Sequence, residues 1–257
     1  MKPLLHRAAS VFSLMSRVPV RLETAPDYSS VGWMLPLVGI PASIAAMAGA
    51  AVGLALFGPG VLSAISAVTV QYLAFNLFHF DGLADTADAL GVTGDAERRR
   101  EALKDPRLGS FGVFAAVLTL SARIAALATV LGSGALAWAC LALAPAAGRL
   151  SALIAAWLAP PSDGSGLGSI LSEAKPAAGV AGFVSAAAPA ALLAGLAYGA
   201  LGAALAIPLG AAAALLGALP PALWYRKTFG SVSGDALGAA VELGELSVLL
   251  LAAALAV

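Results

Sequence analysis

Three aspartates follow an apolar stretch of the chain at a spacing that would bring them together on a helix. Asp81, Asp85 and Asp88 are four and three residues apart, so on a helix they share a sector of roughly 60°. Like charges this close repel one another, and the cost rises beside a membrane. A hard divalent cation would compensate them, and Mg²⁺ commonly combines one or two carboxylates with substrate phosphates. The spacing therefore predicts a magnesium site, with a solvated helix start as the alternative.

Basic side chains come shortly after this acidic segment. Lys104 and Arg107 stand in a stretch whose proline and glycine favour a turn. Because arginine donates paired hydrogen bonds to phosphate oxygens, we expect both residues to face a diphosphate held by the aspartates. His79, two residues before Asp81, is expected to contact substrate or to make a structural hydrogen bond. A zinc site there is not favoured, since no thiolate or second histidine is near.

A second group of acids begins the last apolar run. Asp235 is followed by Glu242 and Glu245 at offsets of seven and ten residues, which places all three within roughly 80° of a helix. Ser233 is positioned to cap that helix and to contact substrate. We expect these acids to complete the metal site or to deprotonate an attacking hydroxyl. Asp88 competes with them for the role of base.

Two arginines and a glycine-rich segment complete the candidate residues. Arg123 and Arg149 lie inside apolar runs, where an unpaired charge is costly. We therefore expect both to face the interior of a helical bundle, and Arg149 to contact substrate. Gly166 and Gly168 belong to a glycine-rich loop whose backbone amides could bind an anion, although the loop matches no Walker pattern.

The composition points to the environment in which these residues must work. Of 257 residues, 60% are hydrophobic and only 11% are charged, with 14 basic and 14 acidic side chains. This excludes intrinsic disorder and argues against an ordinary soluble domain. The balanced charge without a basic stripe argues against a nucleic-acid-binding protein. The single cysteine cannot form an internal disulfide. We predict an all-α, polytopic membrane bundle.

The apolar runs predict about seven membrane-spanning helices, since a span needs roughly 20 such residues. The runs are Met34–Phe57, Val61–Phe80, Phe111–Leu131, Ala135–Leu158, Ala181–Gly199, Leu201–Leu219 and Ala236–Val257. If they alternate across the membrane, every Lys and Arg of the loops falls on one side. That side is the cytoplasm by the positive-inside rule, with the N-terminus inside.

The whole chain, 1–257, is predicted to form one membrane domain. Residues 1–30 are expected to be a cytoplasmic arm or an interfacial helix, because apolar side chains recur there at helical spacing. The predicted cytoplasmic loops are 81–110, 159–180 and 221–235. Both acidic groups lie at this side of the predicted bundle. We therefore expect a site that faces the cytoplasm.

The same residues resemble the signature motifs of the cobalamin synthase family, the adenosylcobinamide-GDP ribazoletransferases. The first is His79-Phe-Asp-Gly-Leu-Ala-Asp-Thr-Ala-Asp88, and Asp105-Pro-Arg-Leu-Gly109 resembles the second. Gly166-Leu-Gly168 and the stretch 233–245 resemble later ones, and Ser16-Arg-Val-Pro19 fits near the start. The motifs follow the family's order over nearly the whole chain. Where Pro106 stands, the family usually has Ser.

The resemblance implies a Mg²⁺-dependent reaction at the cytoplasmic (inner) membrane. The adenosylcobinamide-phosphate group of adenosylcobinamide-GDP would pass to α-ribazole or its 5′-phosphate, with GMP released. The product would be adenosylcobalamin or its 5′-phosphate, in the last steps of cobalamin (vitamin B12) biosynthesis. The expected partners are these substrates and the lipid bilayer, with no nucleic acid. A homo-oligomer or a complex with other cobalamin-assembly enzymes is also allowed.

Two other interpretations share some of these features. A CDP-alcohol phosphatidyltransferase also places spaced aspartates at a membrane face, but its pattern has Ala-Arg after Asp-Gly, and here Asp85 stands where that arginine would be. A cation-coupled transporter would use Asp and Glu as ion ligands near the middle of the membrane. Arg123 and Arg149, inside apolar runs, are the residues that favour this alternative.

Overall fold

The fold is entirely helical in the part of the chain that the structure, a computed structural model, describes, which is residues 3–160 and 166–256. The helices are α1 (Pro3–Leu14), α2 (Val31–Leu37), α3 (Gly39–Phe57), α4 (Val61–Gln71), α5 (Leu77–Gly91), α6 (Ala96–Lys104), α7 (Ser110–Val130), α8 (Ala135–Leu158), α9 (Gly166–Ser172), α10 (Pro176–Phe229) and α11 (Gly234–Ala256). A π-helical segment, Tyr72–Asn76, joins α4 to α5. The all-α membrane architecture expected from the sequence is confirmed.

Within the described residues, six helical segments are long and apolar enough to cross a membrane. The longest, α10, has 54 residues and breaks at Tyr198 and Gly199, where the backbone is not helical. Gly210 packs against Phe183 across this break, so the helix folds back and its halves run antiparallel. The halves match the two runs, 181–199 and 201–219, that the sequence separates. The number of crossings and the cytoplasmic position of the N-terminus remain predictions.

Helix α8 lies at the centre of the bundle. It is buried along almost its whole length, and α2, α3, α10 and α11 pack around it. Helices in lipid associate by packing rather than by hydrophobic burial, and small residues let their backbones approach closely. Gly39 meets the α8 backbone at Ala146, and Gly148 meets α11 at Val241. The bundle therefore fixes α11 against α8 with little freedom to slide.

The N-terminal residues form the helix α1 that their periodicity predicts. Val11 and Met15 are buried, and the Phe12 ring packs edge-on against the Phe75 ring with centroids 5.9 Å apart. The Arg17 amide donates a hydrogen bond to the Ala74 carbonyl oxygen at 3.0 Å. The arm is thus held against the π-helical segment and the start of α5.

The close approach of α10 and α11 yields the first testable prediction. A Cβ at Gly217 would overlap the backbone of Gly244. Gly217→Ala should therefore lower stability by about 1 to 3 kcal/mol, the usual cost of overpacking. The measurement is thermal unfolding of the purified protein in detergent.

The matched control for this substitution is Gly132→Ala. A Cβ at Gly132 would meet only Pro59, at 3.8 Å, so this variant should melt with the wild type. Equal melting temperatures for Gly217→Ala and Gly132→Ala would contradict the described packing.

Candidate active site

The packing of α5 against α11 brings the two acidic groups of the sequence together. A Cβ on Gly82 would lie 2.9 Å from the Asp235 Cα, and one on Gly238 would lie 2.9 Å from the His79 carbonyl oxygen. The two helices run antiparallel, since later residues of α11 meet earlier residues of α5. Glycine on both sides permits this approach, and it places Asp235 at the level of Gly82.

The resulting acidic face consists of Asp81, Asp85 and Asp235. Asp85 lies within electrostatic reach of both other carboxylates, and of Asp88. Asp81 is exposed, whereas Asp85 and Asp235 are partly buried. No Lys or Arg in the described ranges forms an ion pair with the three carboxylates. The Ser233 hydroxyl donates to the Asp235 carboxylate at 3.2 Å, so it is Ser233 that contributes polar support here.

Asp88 has a different environment, although it shares the helix with Asp81 and Asp85. One of its oxygens accepts the Gly109 amide at 2.7 Å and the other accepts the Gly112 amide at 2.8 Å. These amides belong to the residue that precedes α7 and to its first turn, where backbone donors have no partner within the helix. Asp88 therefore caps α7 from outside. Its predicted roles as metal ligand or base must compete with these two hydrogen bonds.

The basic residues predicted for substrate binding are placed differently from one another. Lys104 lines a cavity of about 250 Å³ that Ser233 and Asp235 also line. Arg107 is highly exposed and pairs with Asp105 at 2.7 Å. The hydrogen bonds from the Arg107 side chain and backbone amide lower the pKa of Asp105 to about 2. Lys104 is thus directed towards the acidic face, while Arg107 is held at the surface turn.

A network of buried charges lies deeper between the helices. Arg123 donates to Glu245 at 2.8 Å and to Glu242 at 3.0 Å. Arg149 also donates to Glu245. All four side chains are at most 1% exposed. The two arginines and two glutamates make the network electrically neutral, and both arginines face the interior as the sequence predicts.

Uncharged side chains from the π-helical segment and the residue before it complete this network. Gln71 donates to Glu245 at 2.7 Å, Tyr72 donates to Glu242, and Asn76 donates to Glu242 at 2.9 Å. The sequence pattern does not assign these three residues to the site. The available signal was that Gln71 and Asn76 are strongly polar side chains in an otherwise apolar run. π-Helical turns often occur at functional positions.

The second acidic group therefore divides between two depths, since Asp235 joins the acidic face while Glu242 and Glu245 lie deeper in the bundle. Glu242 lies seven residues beyond Asp235, which is about 10 Å along a helix. At that depth each glutamate is enclosed and bonded to arginine. Arg149, expected to contact substrate, is enclosed with them. In the structure these three residues support α11, and their predicted contact with a substrate or metal remains a prediction.

The remaining predicted residues lie beside the acidic face or at the next loop. His79 is 2% exposed, and its Nε2 has no hydrogen-bond partner in the described part of the chain. Gly166 and Gly168 belong to the short helix α9, which packs against α8 and α11. Residues 161–165 of the predicted anion-binding loop lie outside the described residues.

The donor set at the acidic face fits a hard cation such as Mg²⁺. Asp81, Asp85 and Asp235 supply only oxygen donors, which Mg²⁺ prefers. Within the described ranges no three His, Cys, Asp or Glu side chains form a ready ligand cluster. Mg²⁺ usually takes one or two carboxylates and completes its shell with water and substrate phosphate. The residues therefore fit an ion bound together with a phosphate substrate rather than in an all-protein cage.

The fold and the site together define a multi-pass helical membrane protein with an uncompensated carboxylate site at one end of its bundle. The family model for cobalamin-5-phosphate synthase matches residues 7–253. The chain belongs to this family, and it is a transferase of cobalamin biosynthesis. The family resemblance identified in the sequence is thereby confirmed.

Similar proteins support the same assignment. An adenosylcobinamide-GDP ribazoletransferase of Pseudomonas paraeruginosa is 33% identical over 97% of this chain and 98% of its own. One of Pseudomonas putida is 36% identical over 92% and 93%. One of Nitratidesulfovibrio vulgaris is 33% identical over 66% and 69%. No solved structure matches the chain.

The buried network predicts strong coupling between its members. Arg149→Met or Glu245→Gln alone leaves an uncompensated charge in the bundle and should lower stability by about 3 to 5 kcal/mol. The double variant restores neutrality, because Arg123 and Glu242 remain. It should therefore lose clearly less than the sum of the single variants. Chemical unfolding in detergent measures all four proteins, and additive losses would contradict the network.

Proposed function

We propose that this protein transfers the adenosylcobinamide-phosphate group of adenosylcobinamide-GDP to α-ribazole or to its 5′-phosphate. A ribose hydroxyl oxygen attacks the phosphorus atom bonded to cobinamide, and the bond between that phosphorus and the GMP oxygen breaks. The hydroxyl loses its proton to a carboxylate, and GMP leaves. The observation that carries the proposal is the acidic face, whose carboxylates form no ion pair with a Lys or Arg of the described residues. The chain also belongs to a family whose relatives are named for this reaction.

The acidic face supports a site for the diphosphate of the donor substrate. Bound Mg²⁺ would neutralise phosphate charge as bond breaking proceeds, which is the usual contribution of this ion to phosphoryl transfer. Asp85 is surrounded by other carboxylates, so it is the residue that gains most from a cation. Asp81, exposed beside it, is the second proposed ligand. Lys104 lines the cavity beside Asp235 and would stabilise the negative charge that develops on GMP.

Asp235 is the carboxylate we propose as the base. Of the residues that the sequence offered, Glu242 and Glu245 are buried and bonded to arginine, and both oxygens of Asp88 accept amides. Asp235 instead lines the cavity that contains Lys104. The Ser233 hydroxyl holds one of its oxygens, which leaves the other to accept a proton.

The cellular setting follows from the same proposal. The basic residues of α6 and the acidic face lie near the same end of the bundle, and the positive-inside rule would put that end in the cytoplasm. We therefore propose a multi-pass protein of the cytoplasmic (inner) membrane with its site towards the cytoplasm. An oligomer or a complex with other cobalamin-assembly enzymes stays a prediction.

Loss of the Asp85 charge should abolish transfer. We expect Asp85→Asn to release GMP at least about 100-fold more slowly than wild type, because a metal position loses its anionic ligand. Glu97→Gln removes an acid from the exposed face of α6 and should leave the rate unchanged. The assay follows GMP from adenosylcobinamide-GDP and α-ribazole with Mg²⁺. Near-normal turnover by Asp85→Asn would refute the assignment.

Stability measurements separate this effect from misfolding. Asp85→Asn removes one of several like charges, so its melting temperature should equal or exceed that of wild type. Asp88→Asn leaves one α7 amide without a carboxylate acceptor and should melt lower. If Asp85→Asn fails to fold, its loss of activity does not report on metal binding. That result would also contradict the charge repulsion described.

Removal of divalent cations should stop the reaction reversibly. With EDTA in excess, GMP release should fall to background, and added Mg²⁺ should restore it because the diphosphate then regains its counter-ion. Omission of α-ribazole serves as the control for simple hydrolysis of the donor. Undiminished GMP release in EDTA would contradict a metal-dependent transfer.

A further inference from the structure

A cavity of about 430 Å³ opens beside the acidic face, between the end of α1 and the start of α5. Ser16 and Arg17 line one side, and Phe78 and Asp81 line the other. Asp81 therefore belongs both to this cavity and to the proposed diphosphate site. A group held in the cavity would lie next to the reacting phosphates.

The side of the cavity formed by the N-terminal arm is fixed in place. The Arg17 amide is bonded to the Ala74 carbonyl oxygen, and the Phe12 ring packs on the Phe75 ring. Met15, just before the cavity residues, is 1% exposed. The residues that follow α1 are thus held in a defined position relative to α5.

Two hydrogen-bond donors on this side lack a partner. The Ser16 hydroxyl is buried and has no hydrogen bond to any described residue. The exposed Arg17 guanidinium forms no ion pair within the described ranges, although Asp81 lines the same cavity. A hydroxyl and a guanidinium are a donor pair suited to phosphate oxygens. A buried donor left without a partner costs free energy, so a ligand that accepts from it is favoured.

We propose that Ser16 and Arg17 bind a phosphate group of a substrate at the Asp81 edge of the site. The inference rests on the proposed function and extends it to the N-terminal arm. Phosphate oxygens could come from the diphosphate of the donor or from the 5′-phosphate of the acceptor. In either case the arm contributes to substrate binding, and Arg17 acts mainly on KM.

The test compares Arg17→Ala with Arg21→Ala, an exposed arginine four residues further along the same arm. Initial rates are measured with adenosylcobinamide-GDP, α-ribazole and α-ribazole 5′-phosphate, in nanodiscs of uncharged phosphatidylcholine. Arg17→Ala should raise KM for a phosphate-bearing substrate at least about 10-fold, the loss of one charged hydrogen bond, with a smaller change in kcat. Arg17→Lys should recover part of the loss, and Arg21→Ala should behave as wild type.

The substrates distinguish the two sources of phosphate. A KM increase for adenosylcobinamide-GDP with either acceptor assigns Arg17 to the diphosphate. An increase for α-ribazole 5′-phosphate but not for α-ribazole assigns it to the acceptor's phosphate. Calorimetric binding of the same substrates, which requires no turnover, should show the same loss for Arg17→Ala.

Three results would overturn the inference. One is unchanged KM and binding for every substrate, and another is an equal loss in Arg21→Ala. The third is an effect seen only in anionic vesicles, which would assign Arg17 to lipid headgroups. If wild type itself releases no GMP, the proposed function fails. If wild type is active and Arg17→Ala matches it, the inference alone fails.

Discussion

Charge pairing inside an apolar bundle is the constraint on which this structure depends. Arg123 and Arg149 would be costly in a membrane if either stood alone. Their pairing with Glu242 and Glu245 brings α7, α8 and α11 to one place, and the π-helical segment adds hydrogen bonds to Glu242. A buried ion pair need not be more stable than an apolar pair, but removing one of its members strongly destabilises the fold. The network therefore fixes which helices meet and at what register.

The register set by this network determines the geometry of the candidate active site. With Glu242 held at the level of Asn76, α11 has one position along α5, and Asp235 then lies beside Gly82. The acidic face that results differs from the network, because its carboxylates lie together and no arginine of the described residues forms an ion pair with them. An arrangement that repels itself is retained where a ligand compensates it. The buried arginines, which favoured a transporter when only the sequence was considered, have their own glutamate partners.

The sequence predicted those features that depend on angle and composition. Helical periodicity placed Asp81 and Asp85 on one face, and the apolar runs gave the helices, including the fold-back near Gly199. The sequence did not predict how far along the bundle each acid lies. Asp235 and Glu242 share a face of α11, but periodicity does not show which helix packs opposite each residue. Nor did it separate Asp88 from its neighbours, since the amides that Asp88 binds belong to α7. The roles of Gln71, Tyr72 and Asn76 depend on a local π-helical turn, which no periodicity indicates.

We propose that the acidic face, and not the buried glutamates, holds the divalent cation. Crystals of the protein grown with Mn²⁺ and a non-hydrolysable guanosine diphosphate ester would test it through anomalous difference density. We expect a peak about 2 Å from carboxylate oxygens of Asp85 and Asp81. A peak at Glu242 or Glu245, with none at the acidic face, would contradict the account.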